Sequence, residues 1–228
     1  TAAENIGAMI LGIIVYHMTK NPAWILFPLV VRAFGLIASM IGIMVVKAKE
    51  GENPMAALNR GYYTAVVLSI IGMLIAIQAM LKNWYLFFAG VVGILTSVVV
   101  VYITQYYTEP DYPPVQRIAE ASKTGPATNI VEGMAVGFET TAPTAIVIGA
   151  ALLIAYALGT ATGLPGGGVF GTAVATMGML MTCPYVLAMD TFGPITDNAN
   201  GIIEMAGIGG KIREITDRLD AVGNTTKA

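Results

Sequence analysis

The sequence predicts an all-α membrane protein, a polytopic bundle of helices that cross the bilayer several times. The first observation is composition: 56% of residues are hydrophobic and 11% are charged, whereas soluble domains carry about 25% charged residues. The second is a mean hydropathy of +0.72 over the whole chain. The third is a succession of apolar stretches, most of them about as long as the ~20 residues that a helix needs to cross a bilayer.

Seven apolar stretches follow one another, of which the first and the last are expected to be partial spans. They cover about residues 1–18, 24–46, 62–81, 84–104, 130–159, 169–197 and 220–228. Core helices of a large soluble protein are the alternative interpretation. However, this many long spans in 228 residues would leave too little water-facing surface to dissolve such a protein. We therefore expect one membrane domain over residues 1–228.

Polar loops separate these spans, at residues 47–61, 105–129 and 198–219. The cations predict orientation, because loops that stay in the cytoplasm are enriched in Lys and Arg. If Glu4 lies toward the cytoplasm and the spans alternate, nine cations fall on the inner side and only Lys20 and Lys82 on the outer side. The nine are Lys47, Lys49, Arg60, Arg117, Lys123, Lys211, Arg213, Arg218 and Lys227. We expect a multi-pass protein of a prokaryotic cytoplasmic membrane, with its polar chemistry facing the cytoplasm.

Composition also excludes several kinds of site. One Cys and one His exclude a disulfide framework and the common zinc sites, so any metal must be held by oxygen ligands. A formal charge of -2 without a basic face argues against nucleic-acid binding. Arg32 stands inside a predicted span, where we expect it to snorkel or to pair within the bundle.

Carboxylates collect at the end of the span 169–197 and beyond it. Asp190, Asp197 and Glu204 are seven positions apart, so they share one face of a helix that continues into water. Asp220 and Asn224, four apart, share a face of the next helix. Oxygen ligands from two neighbouring helices are typical of Mg²⁺ or Ca²⁺ sites. A solvated helix end, followed by an Asp-capped helix start, is the alternative at this point.

Three segments make the sequence resemble the membrane-integral pyrophosphatases, which couple cleavage of inorganic pyrophosphate to proton or sodium pumping. They are "DTFGPITDNANGIIEMAG" at 190–207, "TDRLDAVGNTTKA" at 216–228 and, more weakly, "QYYTEPDYPPVQRIAEASKTGPATN" at 105–129. The resemblance covers essentially the whole chain. It implies a fragment of a pump of about sixteen helices, running from the sixth helix into the twelfth. It also implies a homodimer, and remaining helices without which this chain should be inactive.

The resemblance assigns roles to residues in the two stronger motifs. Asp197 matches a Mg²⁺ ligand of the cytoplasmic substrate site, and Asn224 matches a residue that binds the metal and the magnesium pyrophosphate. Asp190, Glu204 and Asp220 lie in the same motifs, and for them the resemblance implies supporting roles. Mg²⁺ is therefore the expected cofactor. No catalytic residue is expected within this chain.

Two further residues bear on the transported ion. In the family resembled, lysine three positions after the motif asparagine accompanies potassium independence, which makes Lys227 the candidate determinant. A tethered ammonium is a reasonable substitute for bound K⁺, and this branch pumps protons. The alternative is an ordinary cytoplasmic lysine. Glu4 resembles a glutamate of the ion gate; its alternative is a plain carboxylate at a helix start.

Two other functions remain open at this point. A sodium-pumping pyrophosphatase would carry out the same hydrolysis with another ion, although Lys227 argues against it. A non-enzymatic cation carrier or channel would use Asp190 and Asp197 as a relay. Such a carrier should show paired broken helices near the bilayer midplane, whereas the acids here gather at helix ends.

Overall fold

The computed structural model describes residues 2–49 and 51–228, and every regular element in that part of the chain is helical. Thr1, in the first predicted span, and Glu50, in the predicted loop 47–61, lie outside the described residues. The helices are α1 Ala2–Thr19, α2 Ala23–Val45, α3 Pro54–Ala76 with a π-helical turn Ile77–Leu81, α4 Trp84–Thr108, α5 Pro113–Ser122, α6 Pro126–Glu139, α7 Thr141–Ala161, α8 Gly167–Leu180, α9 Cys183–Met205 and α10 Lys211–Lys227.

Several of these segments are long and apolar enough to cross a membrane. In the described residues five pass that test by length and composition: Ala2–Thr19, Ala23–Val45, Pro54–Leu81, Trp84–Ser122 and Pro126–Ala161. Helices α8 and α9 form a sixth if they are counted together, as one span bent by 40°. The prediction of an all-α, polytopic membrane protein is confirmed.

Two predicted spans contain interruptions. The stretch 130–159 is divided between α6 and α7, which are separated by Thr140 alone. The stretch 169–197 is divided between α8 and α9, with the break at Met181 and Thr182. In contrast, α10 is one continuous helix across the end of the predicted loop 198–219 and most of the predicted span 220–228.

The chain forms two compact units. The first contains the residues up to Lys47, together with Asn59–Val99 and Val147–Val186. The second contains Ala48–Leu58, Val100–Ile146 and Leu187–Ala228. The predicted metal and substrate residues all belong to the second unit.

Helices of the first unit pack closely because small residues lie where they touch. Helix α1 packs against α2 and α8, and α2 also contacts α8 and the π-helical turn. A methyl group added at Gly93 of α4 would collide with the backbone carbonyl of Ala175 in α8. One added at Gly178 would likewise collide with the carbonyl of Gly90. Such backbone-to-backbone contact is a usual way for helices to associate in lipid, where apolar side chains gain little from leaving the solvent.

Polar groups of the first unit meet at the break between α8 and α9. The guanidinium of Arg32 donates to the carbonyl of Leu180, the last residue of α8. The hydroxyls of Tyr62 and Ser97 are 2.7 Å apart, as are those of Ser97 and Thr182, and all three side chains are buried. A carbonyl at a helix end that lies in lipid must be satisfied by the protein, and Arg32 satisfies the carbonyl of Leu180.

Candidate functional site

The predicted row of carboxylates lies on α9. Asp190, Asp197 and Glu204 are separated by two turns each, and all three are exposed. Glu204 is in the last turn, where the partial negative charge of the helix end disfavours a carboxylate. The guanidinium of Arg213, from α10, lies 3.5 Å from that carboxylate and offsets the repulsion.

Besides its contacts with α9, helix α10 is bonded to two other segments of the chain. Arg218 donates to the backbone carbonyls of Gly51 and Glu52, at 3.3 and 3.1 Å. Further along, the buried Thr225 donates its hydroxyl to the carbonyl of Thr108 at 3.3 Å. Asn224 lies between these two contacts and Lys227 lies after them, and both residues are exposed.

Three predicted residues come together where α9 and α10 meet. The ammonium nitrogen of Lys227 lies 3.0 Å from Oδ2 of Asp197 and 3.5 Å from Oδ1 of Asn224. The Asp197 side chain is 63% exposed and that of Lys227 is 32% exposed, so the charged ends can reach solvent. We call these three residues the Asp197–Asn224–Lys227 cluster.

The other predicted residues lie outside the contacts of this cluster. Asp190 is exposed two turns before Asp197, and Glu204 pairs with Arg213. Asp220 is half-buried, and its Oδ1 is enclosed without a hydrogen-bond partner in the described part of the chain. Glu4 lies in the first turn of α1, which belongs to the first unit, and is exposed.

Sequence reasoning missed a second polar link between α9 and α10. Arg213 Nε lies 2.9 Å from Asp217 Oδ1, and the amide of Asn200 donates to the same oxygen at 3.1 Å. The spacing of four between Arg213 and Asp217 is the ordinary signal of a helical ion pair and could have been noticed. Its connection to Asn200 depends on the packing of the two helices and has no local signal.

A third polar group joins α5 to α6. Arg117 lies 3.4 Å from Glu132 and 2.7 Å from Glu139, and the Tyr107 hydroxyl donates to Glu139 at 3.3 Å. Both glutamates belong to α6, so one guanidinium forms ion pairs with the two acids of a predominantly apolar helix. Because Arg117 and Glu139 are about half exposed, this group holds the short helix α5 in place only moderately.

The donor set of the cluster suits a divalent cation in part. Asp197 provides a carboxylate and Asn224 an amide carbonyl, which are hard oxygen ligands of the kind Mg²⁺ takes. However, nowhere in the described residues do three or more His, Cys, Asp or Glu side chains group closely enough to hold a metal alone. These residues therefore fit a divalent cation as contributors to a ligand set, and not as a complete site.

The chain matches a known protein family over its whole length. The family model described as "Inorganic H+ pyrophosphatase" matches residues 1–228. The chain is 57% identical, over its whole length, to "K(+)-insensitive pyrophosphate-energized proton pump 2" of Moorella thermoacetica, of which it covers 34%. It is 52% identical to the "K(+)-insensitive pyrophosphate-energized proton pump" of Caldanaerobacter subterraneus, again covering 34%. It is 47% identical to "Pyrophosphate-energized membrane proton pump 3" of Arabidopsis thaliana, covering 31%. The chain thus spans about a third of the length of these relatives.

Proposed function

Because the chain belongs to the inorganic H⁺ pyrophosphatase family, we propose that it forms part of a membrane pump that hydrolyses pyrophosphate and moves protons out of the cytoplasm. The observation that carries the proposal is the Asp197–Asn224–Lys227 cluster, in which residues of two helices converge on one exposed point. Since the chain spans about a third of its relatives, the remaining helices complete the site, and this chain alone is inactive.

In this proposal the cluster binds the substrate as a magnesium complex. Asp197 and Asn224 would hold Mg²⁺, which when bound neutralises phosphate charge and stabilises the charge that develops on the leaving oxygen. Lys227 adds a fixed positive charge beside the side-chain oxygens of Asp197 and Asn224. The exposure of Asp197 supports this role, because a highly charged ligand can approach without first opening the bundle.

The same cluster bears on the transported ion and on potassium. The Lys227 ammonium lies beside the Asp197 carboxylate. In this proposal it takes the place of a bound K⁺ that would otherwise balance that negative charge. We therefore place the chain in the potassium-independent, proton-pumping branch in preference to the sodium-pumping one. Glu4 acts in the ion gate, whereas Asp190, Glu204 and Asp220 support the site from neighbouring positions on α9 and α10.

Further proposals concern assembly and orientation. Helix α6 exposes four large apolar side chains, and an added methyl group at Gly133 or Gly137 would meet nothing within 4 Å in the described residues. Small residues on an open apolar face are suited to close contact with another helix, which supports a homodimer through α6. The large apolar side chains are Ile130, Val131, Met134 and Phe138. The distribution of cations supports a cluster that faces the cytoplasm.

A cation carrier is the less well supported alternative. Such a protein would use unwound backbone to coordinate its ion. At the break between α8 and α9, Arg32 instead binds the Leu180 carbonyl, and the Thr182 hydroxyl is paired with Ser97. These groups bond to one another and are not open to an ion path.

The test uses the full-length protein in membrane vesicles, with pyrophosphate hydrolysis measured at saturating Mg²⁺. Asp197→Ala should lower the rate by more than about 100-fold, since loss of a metal's outer partners alone costs 10- to 100-fold. Wild-type protein should work equally well with and without K⁺, and Lys227→Ala should need K⁺. The control is Glu214→Ala, which removes an exposed carboxylate of α10 outside the cluster. Near-normal hydrolysis by Asp197→Ala would remove it from the site, and wild-type activity that collapses without K⁺ would refute the branch assignment.

A further inference from the structure

Helices α9 and α10 touch backbone to backbone one turn away from the cluster. A methyl group built on Gly193 would lie 2.6 Å from the carbonyl oxygen of Gly223, and one built on Gly223 would lie 3.0 Å from the Cα of Gly193. The first distance is shorter than real Cβ contacts, and the second is tighter than nearly all of them. Thr196, which is 6% exposed, fills the adjacent space and donates to the Gly193 carbonyl at 2.9 Å.

The stem of Lys227 also lies against Gly193. The same added methyl group would lie 2.7 Å from Cγ and 2.9 Å from Cε of Lys227. The lysine stem therefore runs across the space that a side chain at position 193 would occupy. Asp197 is one helical turn beyond Gly193 on the same face of α9, so the ammonium emerges beside its carboxylate.

We propose that Gly193 is the positioning residue that lets Lys227 reach Asp197, and hence that it determines whether Lys227 can replace potassium. This inference rests on the proposed function. A side chain at position 193 would meet the immobile carbonyl of Gly223 on one side and the mobile lysine stem on the other. Whichever of these moves, the ammonium is carried away from Asp197, and the negative charge there is left to a cation from solution.

Helix α9 offers a matched control for this substitution. Gly201 belongs to the same helix, but a methyl group added there would meet nothing within 4 Å in the described residues. Both substitutions remove a helix glycine in favour of alanine, so they share the same gain in helix propensity. Only the one at position 193 meets Lys227.

The experiment compares Gly193→Ala, Gly201→Ala and Lys227→Ala in the full-length protein, at constant ionic strength with and without K⁺. Gly193→Ala should lower the K⁺-free hydrolysis rate at least tenfold, and K⁺ should restore most of it, as in Lys227→Ala. Gly201→Ala should behave like wild type. When Gly193→Ala is added to Lys227→Ala, the response to K⁺ should change little, because the position acts through the lysine.

Two results from a folded Gly193→Ala protein would overturn the inference: full activity without K⁺, or a loss that K⁺ does not restore. If Gly193→Ala does not fold, solid-state NMR of wild-type protein labelled in glycine and lysine tests whether the lysine stem lies against Gly193. A through-space peak between a glycine Cα and a lysine Cε that is lost in Lys227→Ala supports the inference, and its absence overturns it. If Lys227→Ala itself does not depend on K⁺, the branch assignment fails. If hydrolysis by Lys227→Ala depends on K⁺ but hydrolysis by Gly193→Ala does not, only the positioning role of Gly193 fails.

Discussion

At the start of α9, around Thr182, polar side chains are buried and bonded to one another, whereas from Asp190 onward the same helix carries exposed carboxylates. At the break, two hydroxyl–hydroxyl hydrogen bonds of 2.7 Å join Tyr62, Ser97 and Thr182. In the Asp197–Asn224–Lys227 cluster, by contrast, an ion pair of 3.0 Å joins groups that are one-third to two-thirds exposed. Both sites use polar atoms to connect helices, but only the second leaves those atoms accessible.

This difference determines how much each site contributes to stability. A buried polar group costs free energy unless it is hydrogen-bonded. Pulling the helices apart at the break would leave buried hydroxyls unpaired, and this cost is the main contribution of these hydroxyls to stability. An exposed ion pair contributes little to stability, because water and salt screen it. Replacing one charged partner by another would therefore cost little at the cluster, whereas at the break the loss of a partner would leave buried hydroxyls unpaired.

The largest effect that this comparison predicts is at Arg32. Arg32→Met removes the charged donor from the Leu180 carbonyl, and the loss should destabilise the full-length protein by about 2 kcal/mol. The measurement is the midpoint of thermal unfolding in detergent. Arg32→Lys retains a cationic donor and should lose less. If Arg32→Met unfolds at the wild-type temperature, the carbonyl does not need this partner and the contrast with the cluster is weaker than proposed.

A smaller effect is expected within the hydroxyl chain. Ser97→Ala leaves the Tyr62 and Thr182 hydroxyls without their shared partner and should cost about 1 kcal/mol, as polar contacts between membrane helices usually do. A double-mutant cycle with Tyr62→Phe measures the coupling. Thr182 keeps a hydrogen bond to the Met179 carbonyl at 3.3 Å, so Tyr62 is the hydroxyl that Ser97→Ala leaves unpaired. Since Tyr62→Phe removes that hydroxyl, the double variant should lose less stability than the sum of the single losses. Strict additivity would mean that these residues act separately.

The smallest effect on stability should come from the cluster itself. Lys227→Met keeps the stem that lies over Gly193 but removes the ammonium, and because the ion pair is exposed it should change stability by about 0.5 kcal/mol or less. The same variant should nevertheless change the dependence of hydrolysis on K⁺. Thermal unfolding and K⁺ titration of one preparation test both statements. A loss of stability comparable to that of Arg32→Met would make Lys227 a structural residue.

The sequence alone determined the class of protein and the position of the acids along α9. Hydropathy and length predict membrane spans because transfer into lipid depends on each segment by itself. The spacing of Asp190, Asp197 and Glu204 predicts a shared face because helix periodicity is local. The family motifs then pointed to Asp197, Asn224 and Lys227, and the roles assigned to these residues stay predictions.

Only the tertiary structure decided which proline accompanies a break in a helix and which groups meet. Pro184 and Pro194 are both local signals for a helix end or bend, yet α9 remains helical through Pro194, and the break lies at Met181 and Thr182, just before Pro184. At this break Arg32 donates to the Leu180 carbonyl and the Thr182 hydroxyl is paired with that of Ser97, over separations of 148 and 85 residues in the chain. Likewise, the stem of Lys227 lies across the space that a side chain at Gly193 would occupy. Contacts of this kind join residues far apart in sequence, so no pattern within a single segment contains them.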